Sequence, residues 1–405
     1  MIDVADTTSV PTRWHDPFDP APWAKRVVWY FGSRGLRADH PFLRTLQEAL
    51  LQGDPRMDEV VAWMERVGQA EARKLFETAL RKGIGALDQE PPEPLARLFA
   101  QLDSVPAWVD KEKLRYACAT IHRAGPANDY ALGCGSLMSG YLSSAAVKPL
   151  MRTGALTGNA ARRIVETGKF ILDITESGDL GRHTAGFETT VRVRLLHAMV
   201  RAKLRRSPEW RTQEWGLPIN QNDLLGTNLQ FSVTYLLTLR FMGFLHSQRE
   251  RDSIVHFWRY VGYLMGIDEH LLPRNFREAT RYLRLVGTSQ PDPDEDSRAL
   301  AAALLDAPLG LALHPIVSRI VRVDRAFRAG LSRSIMGGVA ADALGLPNDR
   351  WKYAVFALSP TVSALELMQR LVPGGRQAAV RVGRRVLRRK LGRALEATAG
   401  KRMHL

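Results

Sequence analysis

His197 is the residue of this chain whose setting most directly suggests chemistry. It lies in the stretch from Thr189 to Lys203, which has no glycine or proline and carries apolar residues at helical spacing. On a helix, positions three and four apart share a face. Arg194, three before the histidine, and Arg201, four after it, therefore point the same way as the imidazole. An imidazole flanked by two fixed positive charges suits a metal centre that carries acidic groups, and a haem with its two propionates is the obvious candidate. The same spacing also describes a core histidine beside two snorkelling arginines. Spacing alone leaves both readings open.

Other metal and nucleophile chemistries find little support. There is no HExxH, and none of the ten histidines has a glutamate three residues before it, so the Glu-x-x-His of di-iron bundles is absent. His246, His256 and His270 are too scattered to claim as ligands, and no GxSxG elbow occurs. The glycines of the loop from Ser177 to Gly186 follow no strand and fit no GxxxxGK[ST] pattern. Two cysteines, Cys118 and Cys134, form neither CxxC nor CxxCH. That excludes a disulfide framework, a cysteine zinc site of the usual spacing and covalent c-type haem, and it suits buried, reduced thiols in a cytoplasmic setting.

The elements that must position these residues read as helices. Residues 1–40, rich in Pro, Trp and Asp, form an irregular arm, and helical periodicity begins near Pro41. Asp110 caps a helix to about His122, the small apolar segment from Asn128 to Leu142 has glycines that permit close helix packing, and a further helix runs from Asn159 to Ile174. Leu224 to Leu245 is the most apolar segment, but Asn228, Gln230, Thr234 and Arg240 interrupt it, which predicts a buried central helix rather than a membrane span. Asn220, Gln221 and Asp223 read as capping and inter-helix hydrogen-bonding groups, and Asp292 to Asp296 as an exposed acidic loop. No alternating β-branched runs and no internal repeat are found, so the fold class is all-α.

The run Arg194-Leu195-Leu196-His197-Ala198 followed by Arg201 resembles the signature helix of the latex-clearing protein (rubber oxygenase) family, which includes the membrane-associated oxygenase of mycophenolic acid biosynthesis. Val105-Pro106-Ala107-Trp108-Val109-Asp110, Thr153-Gly154-Ala155-Leu156, Pro218-Ile219-Asn220-Gln221-Asn222-Asp223-Leu224 and Trp258-Arg259-Tyr260-Val261-Gly262 fit the same family in the expected order, over roughly residues 100–275. The resemblance implies a globin-like helical core around haem b, with His197 as proximal iron ligand and Arg194 and Arg201 anchoring propionates or orienting the histidine. It also implies a distal face on the preceding helix, where Arg163, Glu166 and Thr167 are spaced three and four apart. In rubber oxygenases that face carries arginine, lysine and threonine. Arg163 and Thr167 match, while Glu166 stands where the lysine would, with Arg163 as its expected ion-pair partner. The family's distal glutamate would fall near Ser143 to Val147, where no carboxylate occurs.

Net charge is +15, and the stretch from Arg376 to Leu405, with ten basic residues against Glu396, accounts for +9 of it. The charge thus belongs to one element, which argues against specific nucleic-acid binding and for a basic helix able to lie on anionic lipid through Val380, Val382, Val386, Leu387, Leu391 and Leu395. The N-terminus carries no secretory or twin-arginine signal, unlike the secreted rubber oxygenases, which predicts a cytoplasmic protein, peripheral at most to the membrane. The expected organisation is an arm (1–40), a helical haem-binding oxygenase-like domain (41–372) and a basic C-terminal helix (373–405). The expected function is haem b-dependent oxygenation of an apolar or aromatic small molecule by dioxygen or peroxide. In it, Arg163 and Thr167 donate hydrogen bonds to bound oxygen and Glu166 shuttles a proton. The alternatives are a haem-binding sensor or carrier, and a basic helical module without a cofactor.

Overall fold

The computed structural model describes residues 9–27, 41–153, 160–307 and 315–398. Among them every regular element is helical and no strand forms. The first group of helices is α1 (Pro41–Ala49), α2 (Pro55–Val67), α3 (Gln69–Lys82) and α4 (Glu93–Asp103). The central group is α5 (Lys111–Ala124), α6 (Ser144–Arg152), α7 (Ala160–Glu176), α8 (Ala185–Arg205), α9 (Gln221–Leu229), α10 (Tyr235–Phe241) and α11 (Gln248–Leu264). The last group is α12 (Phe276–Thr288), α13 (Glu295–Asp306), α14 (Pro315–Met336), α15 (Ala354–Leu371) and α16 (Gly375–Thr398).

Side chains mark where several helices begin. Asp110 accepts from the backbone N–H groups of Glu112 and Lys113 at 2.9 and 3.1 Å and so starts α5, as expected. Thr184 caps α8 through Phe187 N, and Asn220 caps α9 through Asp223 N. Ser247 and Glu250 form a reciprocal capping box on α11. Each such cap contributes about 1 kcal/mol.

The largest buried cluster joins α2, α3, α4, α5, α8 and α11. Into it α8 turns Phe187, Val191, Leu195 and Ala198, a stripe at helical spacing. The apolar stretch from Leu224 is a buried, continuous helix to Phe241, but it changes register. Between α9 and α10 lies a wide π-type turn, Gln230–Thr234. A second π segment, Ala131–Leu137, lies against it. Ser136 Oγ donates to the Gln230 carbonyl at 2.7 Å, and a side chain on Gly135 or Gly140 would collide with Thr238 or Gln230. The close packing that the glycines predict is therefore between two π segments, a feature common where helices border functional sites. No helix among the described residues is long and apolar enough to cross a membrane.

The described part of the N-terminal arm and the acidic segment before α13 are both tied to this body. In the arm, Arg13 is buried and forms a two-pronged pair with Asp223 at 2.7 and 2.9 Å, with a further bond to Gln290 at 2.7 Å. The acidic segment before α13 is anchored rather than free. Asp294 caps that helix through Ser297 N, and Lys148 Nζ reaches both Asp294 and Asp296 at 2.5 Å.

The C-terminal helix departs most from expectation. Its apolar side does not face outward: Val380, Val386, Leu387, Leu391 and Leu395 are half-buried as α16 lies on α5 and α7. Gly383 rests on the His122 carbonyl, Arg384 and Arg388 pair with Glu176, and Lys390 with Asp129. Glu176 and Asp129 compensate the inward cations, so packing on the protein, not on lipid, uses that face. Of the apolar residues expected to meet lipid, only Val382 stays exposed.

Two buried histidines couple this packing to pH. Burial pushes His122 down to about 4, reinforced by Arg384 and Arg388, and pushes His256 down to about 4, reinforced by Lys113. The Nε2 atom of His256 accepts a hydrogen bond from Asp110 N at 3.0 Å, which requires the neutral ring. In the unfolded chain both would titrate near 6.5. A depressed folded pKa means that stability is fully present above about pH 6.5 and is lost as pH falls towards 4. The thermal midpoint is therefore expected to hold between pH 8 and 7 and to fall through pH 6 and 5. His256→Gln, which keeps an acceptor that cannot protonate, should flatten that decline; an unchanged slope would contradict the assignment.

Candidate active site

The rotation of α8 is set by ion pairs. Arg194 donates to both oxygens of Asp54 at 2.6 and 2.8 Å, in a pair almost wholly removed from solvent. One face-repeat later Arg201 grips Asp58 in the same fashion at 2.8–3.0 Å and also donates to the Ile219 carbonyl at 2.7 Å. Asp54 caps α2 and Asp58 follows four residues on, so the two helices are buttoned together twice. At Gly266 (φ +84°) a side chain would strike Asp54 and Arg194 Nε, so only glycine fits there.

Of the two roles expected of Arg194 and Arg201, anchoring propionates or orienting the histidine, this arrangement fits the second. At 100° per residue they sit about 40–60° to one side of His197, the side that α2 occupies. On the other side Val193, Leu196 and Val200 line, with His197, a cavity of about 870 Å³. Its size is at the upper end of the roughly 300–1,000 Å³ usual for small-molecule sites. Neither arginine lines it. They hold the helix that carries His197 and do not reach into the cavity themselves.

His197 is deep in the protein, and the accessible part of its ring faces this cavity. Burial pushes it down to about 4, helped by Arg201 and Arg163 and opposed by Asp54. The imidazole is therefore neutral at physiological pH, as a metal ligand must be. Its Nδ1 is sealed from solvent without a hydrogen-bond partner. Leaving such a group unmade costs roughly 1–3 kcal/mol, and because Nδ1 has no accessible surface, a ligand in the cavity can meet only the other ring nitrogen, Nε2.

Arg163, Glu166 and Thr167 line the same cavity from α7, so the structure brings the expected distal residues and His197 to one space. Their bonding differs from expectation. Glu166 pairs with Arg162 Nε at 2.9 Å, one turn earlier, and not with Arg163. Thr167 donates its hydroxyl proton to the Arg163 carbonyl at 2.9 Å, so only its lone pairs face a ligand. The Arg163 guanidinium makes no hydrogen bond or ion pair among the described residues. Burial pushes its pKa down, opposed by nearby Tyr141 and Glu166. The cavity thus offers, beside the Arg162–Glu166 pair, a partly buried cation with no ion-pair partner among the described residues.

Some lining groups carry no signal that sequence reasoning could have used. Tyr141, held protonated by burial with its pKa near 12, follows the second π segment. Asn222 Oδ1 and Trp23 Nε1 are buried without partners on residues of the lining. Asn220, Gln221 and Asp223 do act as caps and ties: Gln221 donates to the Gly53 and Gly266 carbonyls at 2.7 and 2.8 Å. Two of the family-like stretches meet: Arg259 stacks over Trp108 at 3.9 Å, while Trp258, Val261 and Gly262 turn to the cavity. Of the stretch Thr153 to Leu156, residues 154–156 lie outside the described residues.

An all-helical body with a large, mostly apolar cavity, a neutral histidine on one wall and a basic–acidic face on another has the form of a small-molecule site. The sequence places it further. Residues 122–364 match the family described as ER-bound oxygenase mpaB/B′/rubber oxygenase, catalytic domain, and the chain belongs to that family of oxygenases. It is 23% identical over 302 residues to the rubber oxygenase of Streptomyces sp. (strain K30), covering 72% of this chain and 70% of that one. The solved structure of latex clearing protein LCP in the closed state shares the fold, with a TM-score of 0.61 and 21% identity over 85% of this chain and 91% of the other.

Because Arg194 and Asp54 are both desolvated, removing either leaves a buried charge alone. Asp54→Asn and Arg194→Leu are each expected to cost roughly 3–5 kcal/mol in guanidinium unfolding. The double variant Asp54→Asn/Arg194→Leu should cost clearly less than the sum of the single losses. Strict additivity would show that the two groups do not act as a pair.

Proposed function

We propose that this chain is a haem b-dependent oxygenase of apolar or aromatic small molecules, with His197 as the protein's ligand to iron. The observation that carries this reading is the neutral His197 ring, with Nδ1 sealed in the protein and the remaining part of the ring turned to a large apolar cavity. Among the described residues no three His, Cys, Asp or Glu side chains converge on a point. His197 is the histidine that lines this cavity, and one imidazole is what a metal already held by a porphyrin asks of a polypeptide. Without CxxCH the cofactor would be held non-covalently.

Haem b, when bound, supplies a redox-active iron able to use dioxygen or a peroxide as oxidant. The chain's own residues have narrower tasks. His197 offers a lone pair and is kept from turning by the α8–α2 clamp. Arg163, partly buried and with no ion-pair partner among the described residues, would donate hydrogen bonds to an anionic or polarised oxygen, either a propionate or an oxygen of the reacting molecules. Glu166 would accept a proton in the cavity while Arg162 offsets the cost of holding its charge there. Phe170, Phe231, Phe241 and Trp258 exclude water and give an apolar substrate its contact area. Cytoplasmic residence of the enzyme is part of this proposal.

His197→Ala is expected to lose most haem while keeping its helical circular dichroism; full occupancy in that variant would remove the ligand assignment. At the distal wall, Glu166→Gln should leave the ferric spectrum of the loaded protein high-spin, whereas Glu166→Lys should draw it towards low spin. An unchanged spectrum with lysine would show that position 166 does not face the iron.

A further inference from the structure

Helix α15 is built inside out. Its inward side carries the polar groups: Ser363 Oγ donates to the Gly243 carbonyl at 2.9 Å, and Glu366 receives the buried Arg123 and Leu245 N. Its outward side is apolar. Phe356, Leu358, Leu365, Leu367, Met368 and Leu371 are 50–82% exposed. Together with Pro360 and Val372 they span an arc of about 200° around the helix. The helix's one acid, Glu366, is turned inward, so this arc carries no negative charge. Soluble helices show the reverse pattern, and apolar surface of this extent marks a contact face.

The charge around the patch selects what it meets. Arg370 closes the helix, Lys352 precedes it, and the following helix α16, which touches α15, exposes Arg381, Arg385 and Arg389 with Val382 among them. None of these three α16 arginines has an ion-pair partner among the described residues, unlike the inward Arg384 and Arg388, which share Glu176. Apolar side chains rimmed by uncompensated cations match a bilayer surface with anionic headgroups, where each cation near the surface adds to binding. No described helix can cross a bilayer.

We infer that the α15–α16 pair is a peripheral membrane-docking face, with the outward side chains of α15 entering the acyl boundary and the α16 arginines meeting anionic headgroups. The contact side differs from the one that the apolar pattern of α16 predicts, because that pattern is used against α5 and α7. The inference stands independently of the haem reading. It adds one geometric consequence: α10 and α14, on which α15 packs, line the cavity with Leu237, Phe241, Ile335 and Met336.

Flotation of the full chain with phosphatidylcholine/phosphatidylserine vesicles, against pure phosphatidylcholine vesicles, tests it. Binding is expected to the anionic vesicles, to weaken as salt rises, and to be weak on the neutral ones. Arg381→Gln/Arg385→Gln/Arg389→Gln should lower partitioning roughly a hundredfold. Leu365→Glu/Met368→Glu/Leu371→Glu should abolish it, with circular dichroism unchanged in both because every altered side chain is exposed. Flotation of either variant equal to that of the unaltered chain overturns the proposal, as does failure of the unaltered chain to float. A lipid-free dimer split by the three glutamates, with no vesicle binding, assigns the face to a second copy and also overturns it.

Discussion

Two arginine–aspartate pairs, one fully and one partly buried, set the geometry on which the candidate site depends. A helix packed only by apolar contacts can rotate or slide by a fraction of a turn at modest cost, since hydrophobic attraction has no direction. The planar guanidinium has one: Arg194 on Asp54 and Arg201 on Asp58 each use two donors against two oxygens. With both pairs made, α8 has one rotation against α2, and in it His197 faces the cavity while the arginines do not. Buried ion pairs are weak sources of net stability, because desolvation consumes most of their attraction. Their use here is orientation.

The same economy governs the opposite wall. An apolar cavity tolerates few charges, and α7 places three there within five residues. Arg162 and Glu166 cancel each other across one turn, leaving Arg163 as the charge without a counter-ion. Its lowered pKa reflects the strain of that position. A group that brings negative charge or a strongly polarised oxygen into the cavity would relieve it. His197 and Arg163 thus each turn to the cavity a group that an added cofactor or ligand could engage.

The sequence revealed much of this, but unevenly. Capping chemistry is local, so Asp110 and Asn220 mark helix starts that the structure reproduces, whereas the start of α8 at Thr184 falls within the stretch read as a loop. Periodicity told which helices are buried. It could not tell which side of α8 meets which neighbour: residues three and four apart look equivalent until an aspartate distant in sequence claims them. Asp54 and Asp58, some 140 residues earlier, gave no hint of that claim. Glu166 had two basic candidates, Arg162 and Arg163, and only the fold chose. The π segments were invisible because a glycine-rich apolar run fits either helical register. The amphipathic pattern of α16 was read correctly and assigned to the wrong partner, since an apolar stripe does not state whether lipid or protein covers it.

The central claim is that His197 meets iron in a porphyrin. Acid–organic extraction of the purified, unaltered chain, with iron quantified alongside the absorption spectrum, tests it most directly. The account predicts a Soret band, about one iron per chain and haem b released wholly into the organic phase. A well-folded chain that takes up neither iron nor haem when supplied with both would contradict it.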